Sequence, residues 1–257
     1  MSPTPASYAA WQKRRLSIVS VVIDRGSNAY VGILRDSPSC VLKWPIPNDD
    51  DALESFEREK RALEILGQHC SIARFLWASE QGLCFEYYPF QSLRHYYEQN
   101  GLPSLDQRFR WCHQAVFGFA YIHSKNVVHQ DISARNLLLS SNMEIKICDF
   151  GSATVMGEVV HGLAEFRYSG GRSVSQATFT YDLFCIGALF YEIILGKPPY
   201  EELSREEVVR RYAVQKFPSV EEIEHGYAVI IEKCWHDEYS SIQQLTCDLP
   251  QLPFASV

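Results

Sequence analysis

The stretch His129-Gln130-Asp131-Ile132-Ser133-Ala134-Arg135-Asn136, followed by Cys148-Asp149-Phe150-Gly151, decides how this chain is read. Short apolar runs surround it. Val127–Val128 precedes it, and Leu137–Leu139 and Ile145–Ile147 lie between its halves, each with the length of a strand around a loop. Asn136 stands five residues after Asp131, and Asp149 eighteen after it, which leaves room for one short hairpin returning the second aspartate to the same cleft. Aspartate and asparagine are also ordinary turn residues, so the triplet becomes a site only if the rest of the chain supplies partners in order.

Working outward, the segment before residue 87 is β-rich. Ile18, Val19, Val21, Val22 and Ile23 form a first strand, Gly26-Ser27-Asn28 a turn, and 30–34 a second strand. Cys40 to Trp44 is a third strand, stopped by Pro45 and Pro47. Asp49, Asp50 and Asp51 then mark a helix start, with Leu53, Phe56, Leu63 and Leu66 at helical spacing and Gly67 at its end. Residues 72–77 and 83–87 read as two further strands. After Pro89 the pattern turns helical. Ser104-x-x-Gln107 opens a helix to about Ser124, 181–195 is a strongly apolar helix ended by Gly196, Ser204-x-x-Glu207 opens another, and 228–235 is the last.

The 257 residues carry 24 Lys+Arg against 31 Asp+Glu, a formal charge of −7. An acidic chain argues against non-specific nucleic-acid binding, which needs a basic face. The longest uncharged apolar run, from Leu183 to Tyr191, is far short of the roughly 20 residues of a membrane span, so no membrane partner is expected. None of the eight cysteines has C-x-x-C spacing, which removes a zinc ribbon, and most sit in apolar runs as buried thiols. A reduced, cytoplasmic setting and a monomer follow as expectations.

The central stretch resembles the eukaryotic protein-kinase family, whose catalytic loop reads H-R-D-L-x-x-x-N and whose metal motif is D-F-G. The compact form is similar to small stand-alone fungal protein kinases. The resemblance implies an α+β, two-lobed fold: a leader over 1–15, a small β-rich lobe with one helix over 16–86, a hinge at 86–89 and a mainly helical lobe over 90–257. It implies phosphoryl transfer from ATP with Mg²⁺ to a protein Ser/Thr or Tyr hydroxyl. Asp131 then orients the acceptor, Asn136 and Asp149 hold the metal, Lys43 of Val41-Leu42-Lys43 meets the phosphates, and Glu59 fixes that lysine. Glu54, Glu57 and Glu64 are rival carboxylates on the same helix, but Glu59 shares a face with Leu63. Backbone groups of Glu86 and Tyr88 in Phe85-Glu86-Tyr87-Tyr88 would take adenine, with Val31 and Val41 lining its pocket. Leu63, His129 and Phe150 resemble the stack between the lobes, and Asp182 the aspartate that braces the catalytic loop.

The chain also departs from the family. Of the glycine-rich G-x-G-x-x-G-x-V loop only Gly26 matches in Asp24-Arg25-Gly26-Ser27-Asn28-Ala29-Tyr30-Val31. Gln130 replaces the arginine that binds an activation-segment phosphate, which marks a non-RD kinase. Ser133 stands where Ser/Thr kinases have lysine, and Arg135 where tyrosine kinases have an arginine that supplies charge to the phosphate. No A-P-E occurs between Gly151 and Asp182, and 234–241 lacks its arginine partner, so that ion pair is expected to be absent altogether. The worn glycine loop and Gln130 also fit a pseudokinase that scaffolds a partner. A small-molecule phosphotransferase of the antibiotic-kinase type is opposed by Asp149-Phe150-Gly151 and by the loop from Gly196 to Tyr200.

Overall fold

The computed structural model describes residues 17–162 and 164–252. The leader expected over 1–15 lies outside the described residues. Among the described residues, nine strands and eight α-helices follow in the order expected of two lobes.

Five strands form one antiparallel sheet in the order β1-β2-β3-β5-β4. They are β1 (Val19–Arg25), β2 (Ala29–Leu34), β3 (Cys40–Pro45), β4 (Phe75–Ser79) and β5 (Gly82–Glu86). β1 is one of the two edges, with Val21 and Val22 half-exposed and two register shifts that blunt it. β3 runs through Pro45 rather than stopping before it, because Pro45 faces Ala29 across the ladder. The strand expected over 72–77 begins only at Phe75. The residues ahead of it pair with the other lobe instead: Ala73 N–H donates to Ile147 O and Ile147 N–H to Ser71 O, both at 2.8 Å.

Helix α1 (Asp50–Leu66) starts at Asp49, whose side chain accepts the Ala52 N–H. It ends at Gly67, where φ is +62°. Its buried face is Ser55, Glu59, Ala62, Leu63 and Leu66, whereas Leu53 is half-exposed, so the expected apolar stripe is displaced at its start. A polar pair, Ser55 and Glu59, occupies the buried side, and this turns the helix toward the cleft.

The larger lobe opens with α2 (Leu93–Asn100), which sequence periodicity did not reveal. It is short, and its cues are a Ser92 cap and Gly101 stop. α3 (Leu105–Ser124) begins at Ser104, which accepts the Gln107 N–H; the Gln107 amide goes to Met143 O instead of closing the capping box. β6 (Val127–Val128) pairs with β9 (Thr154–Val155), and β7 (Leu137–Leu139) with β8 (Ile145–Ile147), framing the two loops of the central stretch. α4 (Phe166–Ser169), α5 (Phe179–Leu195), α6 (Arg205–Ala213), α7 (His225–Trp235) and α8 (Ile242–Asp248) complete the lobe. α5 is its axis, buried from Tyr181 to Ile194. α7 packs on it across Gly187, where a Cβ would lie 2.7 Å from Cys234 Cβ. All eight cysteines are free, but only four are fully buried, and Cys70 and Cys247 are exposed, fewer buried thiols than expected.

Candidate active site

β3 alternates its side chains, so Val41 and Lys43 share the face that α1 covers. The Lys43 ammonium contacts Glu59 Oε2 at 2.6 Å and Asp149 Oδ1 at 2.8 Å. Of the four α1 carboxylates named from sequence, Glu59 is therefore the one brought to the lysine, and Glu54 pairs with Arg58 at 3.5 Å. Burial would lower the Lys43 ammonium, but the Asp149 and Glu59 carboxylates outweigh it and hold it above the ordinary lysine value. Burial pushes Glu59 up, against the pull of Lys43. For Asp149, enclosure acts upward and the Lys43 charge overcomes it, leaving the carboxyl below its usual range.

Across the cleft, Asn136 Nδ2 donates to Asp131 O at 2.7 Å and to Asp131 Oδ2 at 3.1 Å. Burial pushes the Asp131 carboxyl up, and the Asp149 charge adds to this. The loop that carries Asp131 is fixed from below. Asp182, wholly buried on α5, accepts His129 N–H at 2.8 Å, Gln130 N–H at 2.9 Å and a His123 Nε2 contact at 3.0 Å. These bonds hold Gln130 at φ +64°, and Asp149 sits at φ +62°, two non-glycine residues in the left-handed region at the two chemical loops. His129 packs on Phe150, ring centroids 5.0 Å apart, and Leu63 belongs to the same core.

Every site residue named from sequence lines one cleft of about 590 Å³: Lys43, Glu59, Asp131, Arg135, Asn136 and Asp149 as well as Gly26, Val31, Val41, Glu86 and Tyr88. Their readiness differs. Gly26 N–H is committed to Ala29 O at 2.9 Å, and a Cβ on Gly26 would meet nothing closer than 3.8 Å, so the position does not demand glycine. Glu86 N–H donates to Arg74 O and Tyr87 N–H to Ser39 O, whereas Tyr88 N–H has no partner among the described residues. Arg135 is exposed at the cleft mouth.

Three features escaped the sequence. Glu192, 1% exposed in apolar α5, binds Arg94 at 2.8 Å and accepts the Tyr168 hydroxyl, tying α2 and α4 to the axis. Its available signal was a second acidic residue, beside Asp182, in an otherwise apolar helix. Ser55 Oγ and Arg58 Nε both donate to Gly151 O, at 3.2 and 3.0 Å, so α1 holds the start of the segment after Phe150. The expected loss of the ion pair at that segment's far end is corrected: Arg172 binds Asp237 through both prongs, at 2.7 and 2.9 Å. The connection is kept with its polarity reversed, arginine on the segment and carboxylate after α7. Among the described residues, no helix is long and apolar enough to cross a membrane.

Comparisons with known proteins agree with this geometry. Residues 41–247 match the protein kinase domain family. The probable serine/threonine-protein kinase PknB of Lactococcus lactis is 26% identical over 70% of this chain and 30% of its own length. Mouse Aurora kinase C is 38% identical over 38% of each chain, and the serine/threonine-protein kinase STY46 of Arabidopsis thaliana 29% identical over 64% of this chain and 30% of its own. The chain thus spans well under half the length of these relatives. With the lysine–glutamate pair and the paired catalytic-loop residues in the matched region, and most of the chain covered by it, the chain belongs to the protein kinase family.

Proposed function

We propose that the chain is an ATP- and Mg²⁺-dependent protein kinase that phosphorylates a protein hydroxyl. The observation that carries this is the Lys43 ammonium shared between Glu59 and Asp149 on one wall, opposite the Asp131–Asn136 pair on the other. Lys43 is placed to meet phosphate oxygens, and Glu59 keeps it there. Asp131 is placed to orient the acceptor hydroxyl and take its proton.

The donor set suits Mg²⁺. Asp149 Oδ1 is engaged by Lys43, its side chain is 45% exposed to the cleft, and Asn136 is oriented by the hydrogen bonds its side-chain amide donates to Asp131, so hard oxygens face the site. When bound, the metal would neutralise phosphate charge. The Tyr88 N–H is free to take adenine. Relatives named as serine/threonine kinases favour Ser/Thr acceptors.

The commitment of Gly26 N–H within its own turn favours a second reading, a non-catalytic nucleotide-binding or scaffolding module. Incubation with γ-labelled ATP, Mg²⁺ and a substrate panel separates the two. Transfer by the wild type that is lost in Asp131→Asn supports the kinase. Equal, poor labelling by both supports the module. A thermal-shift titration adds to this, since Mg-ATP at 100 times its Kd stabilises by about 2.7 kcal/mol.

A further inference from the structure

Helix α1 carries more than Glu59. Arg58 and Arg61 stand one turn apart beside it, and both reach the segment that follows Phe150. Arg58 holds its first carbonyl, that of Gly151. Arg61 reaches further along, with Nη1 at 3.1 Å from Glu158 Oε2 and Nη2 at 2.9 Å from Oε1, a two-pronged pair.

The Glu158 backbone is itself fixed. Its N–H donates to Val155 O at 3.0 Å and its carbonyl accepts Ala177 N–H at 2.9 Å. Gly157 N–H donates to Ala177 O at 2.9 Å, and Val159 bridges Gln176. The two halves of the segment are thus zipped together where the carboxylate points at α1. A swing of α1 away from the cleft separates Glu59 from Lys43 and, with it, Arg61 from Glu158.

Gln130 and the buried hydroxyls of the segment are not arranged to pair with added charge. The Gln130 side chain is wholly buried, and neither of its polar atoms has a partner among the described residues. Tyr168 and Ser169 are buried, their hydroxyls bound to Glu192 and to Ala164 O.

We propose that Glu158 is a positioning residue: its fixed carboxylate, gripped by Arg61, keeps α1 in the register where Glu59 meets Lys43, so that the segment needs no added phosphate, a role that presupposes the kinase activity proposed above. A phosphate would supply such an arginine-paired charge reversibly; here it is encoded. The side chains of Arg61 and Glu158 are 59% and 42% exposed, so the hold is modest and weakens with salt.

The test is charge reversal and exchange in the full chain, read two ways. Glu158→Arg and Arg61→Glu should each lower kcat/KM for Mg-ATP by about three- to tenfold, and the double exchange should recover it to within about twofold. Phosphatase treatment of the wild type should leave its rate unchanged. In parallel, amide hydrogen exchange across α1 should quicken in each single variant and return in the double, a readout that needs no catalysis. If the wild type transfers no phosphate, the kinase reading fails while the exchange pattern still decides the clamp. Single reversals that leave α1 protection unchanged, a double that recovers nothing, or loss of activity on phosphatase treatment would overturn the proposal.

Discussion

Arg172 and Asp237 face each other in a two-pronged ion pair, and the Arg172 guanidinium also lies 3.7 Å from the Phe184 ring centroid. Arginine stacks and forks at once, which lysine does not do. The side chains are 33% and 48% exposed, so the charge contribution is discounted to about 0.5–1 kcal/mol. Arg172→Glu and Asp237→Arg should each destabilise by about 1 kcal/mol, and the exchange should recover part of it, because the stack on Phe184 is lost. Urea unfolding of the four-member cycle measures the coupling.

Asp182 is the larger structural commitment. Its carboxylate is wholly buried and accepts two catalytic-loop amides. Asp182→Ala leaves those N–H groups without a partner and should cost about 3 kcal/mol, with a smaller loss for Asp182→Asn. Chemical denaturation gives the stability, and ATP turnover should fall further than stability alone explains, because Gln130 is no longer held at its positive φ.

The α5–α7 contact admits no extra carbon at Gly187. A Cβ there would sit 2.7 Å from Cys234 Cβ and 3.2 Å from Ile231 O. Gly187→Ala should destabilise by about 1–3 kcal/mol despite the better helix propensity of alanine. An unchanged unfolding midpoint would show that the helices part easily.

Acid dependence of activity should report Asp131. Burial and the Asp149 charge raise its carboxyl, so the acid limb of kcat/KM should lie above the ordinary aspartate value of about 3.9. Stability behaves differently. Asp149, lowered by Lys43, contributes fully above the unfolded aspartate value and loses its contribution only as pH falls through the lower folded value. Lys43, raised by its carboxylates, contributes fully below the unfolded lysine value of about 10.4 and loses it only as pH rises through the higher folded one. The activity limb should therefore appear while the fold is intact, which circular dichroism over the same pH range checks. A limb that coincides with unfolding would contradict the assignment.

Legibility followed distance along the chain. The loops around Asp131 and Asp149 were readable because their strands and spacing are local, and Glu59 could be chosen by its helical phase with Leu63. α2 was missed because eight residues give too little periodicity to stand out. The Arg172–Asp237 and Arg61–Glu158 pairs join residues 65 and 97 positions apart. A search for the usual residue at the usual place finds neither, since the first has its charges exchanged and the second substitutes a carboxylate for a phosphate. The glycine loop failed in another way: its one surviving glycine was legible, but not that the amide is spent on its own turn.

The central claim is that Asp131, facing the Lys43–Glu59–Asp149 cluster, supports phosphoryl transfer. Its most direct measurement is incorporation of γ-labelled phosphate from Mg-ATP into protein by the wild type and Asp131→Asn side by side. The account predicts transfer by the wild type and a fall of about 10²–10⁴-fold in the variant, with Mg-ATP binding retained. Equal labelling by the two proteins would contradict it.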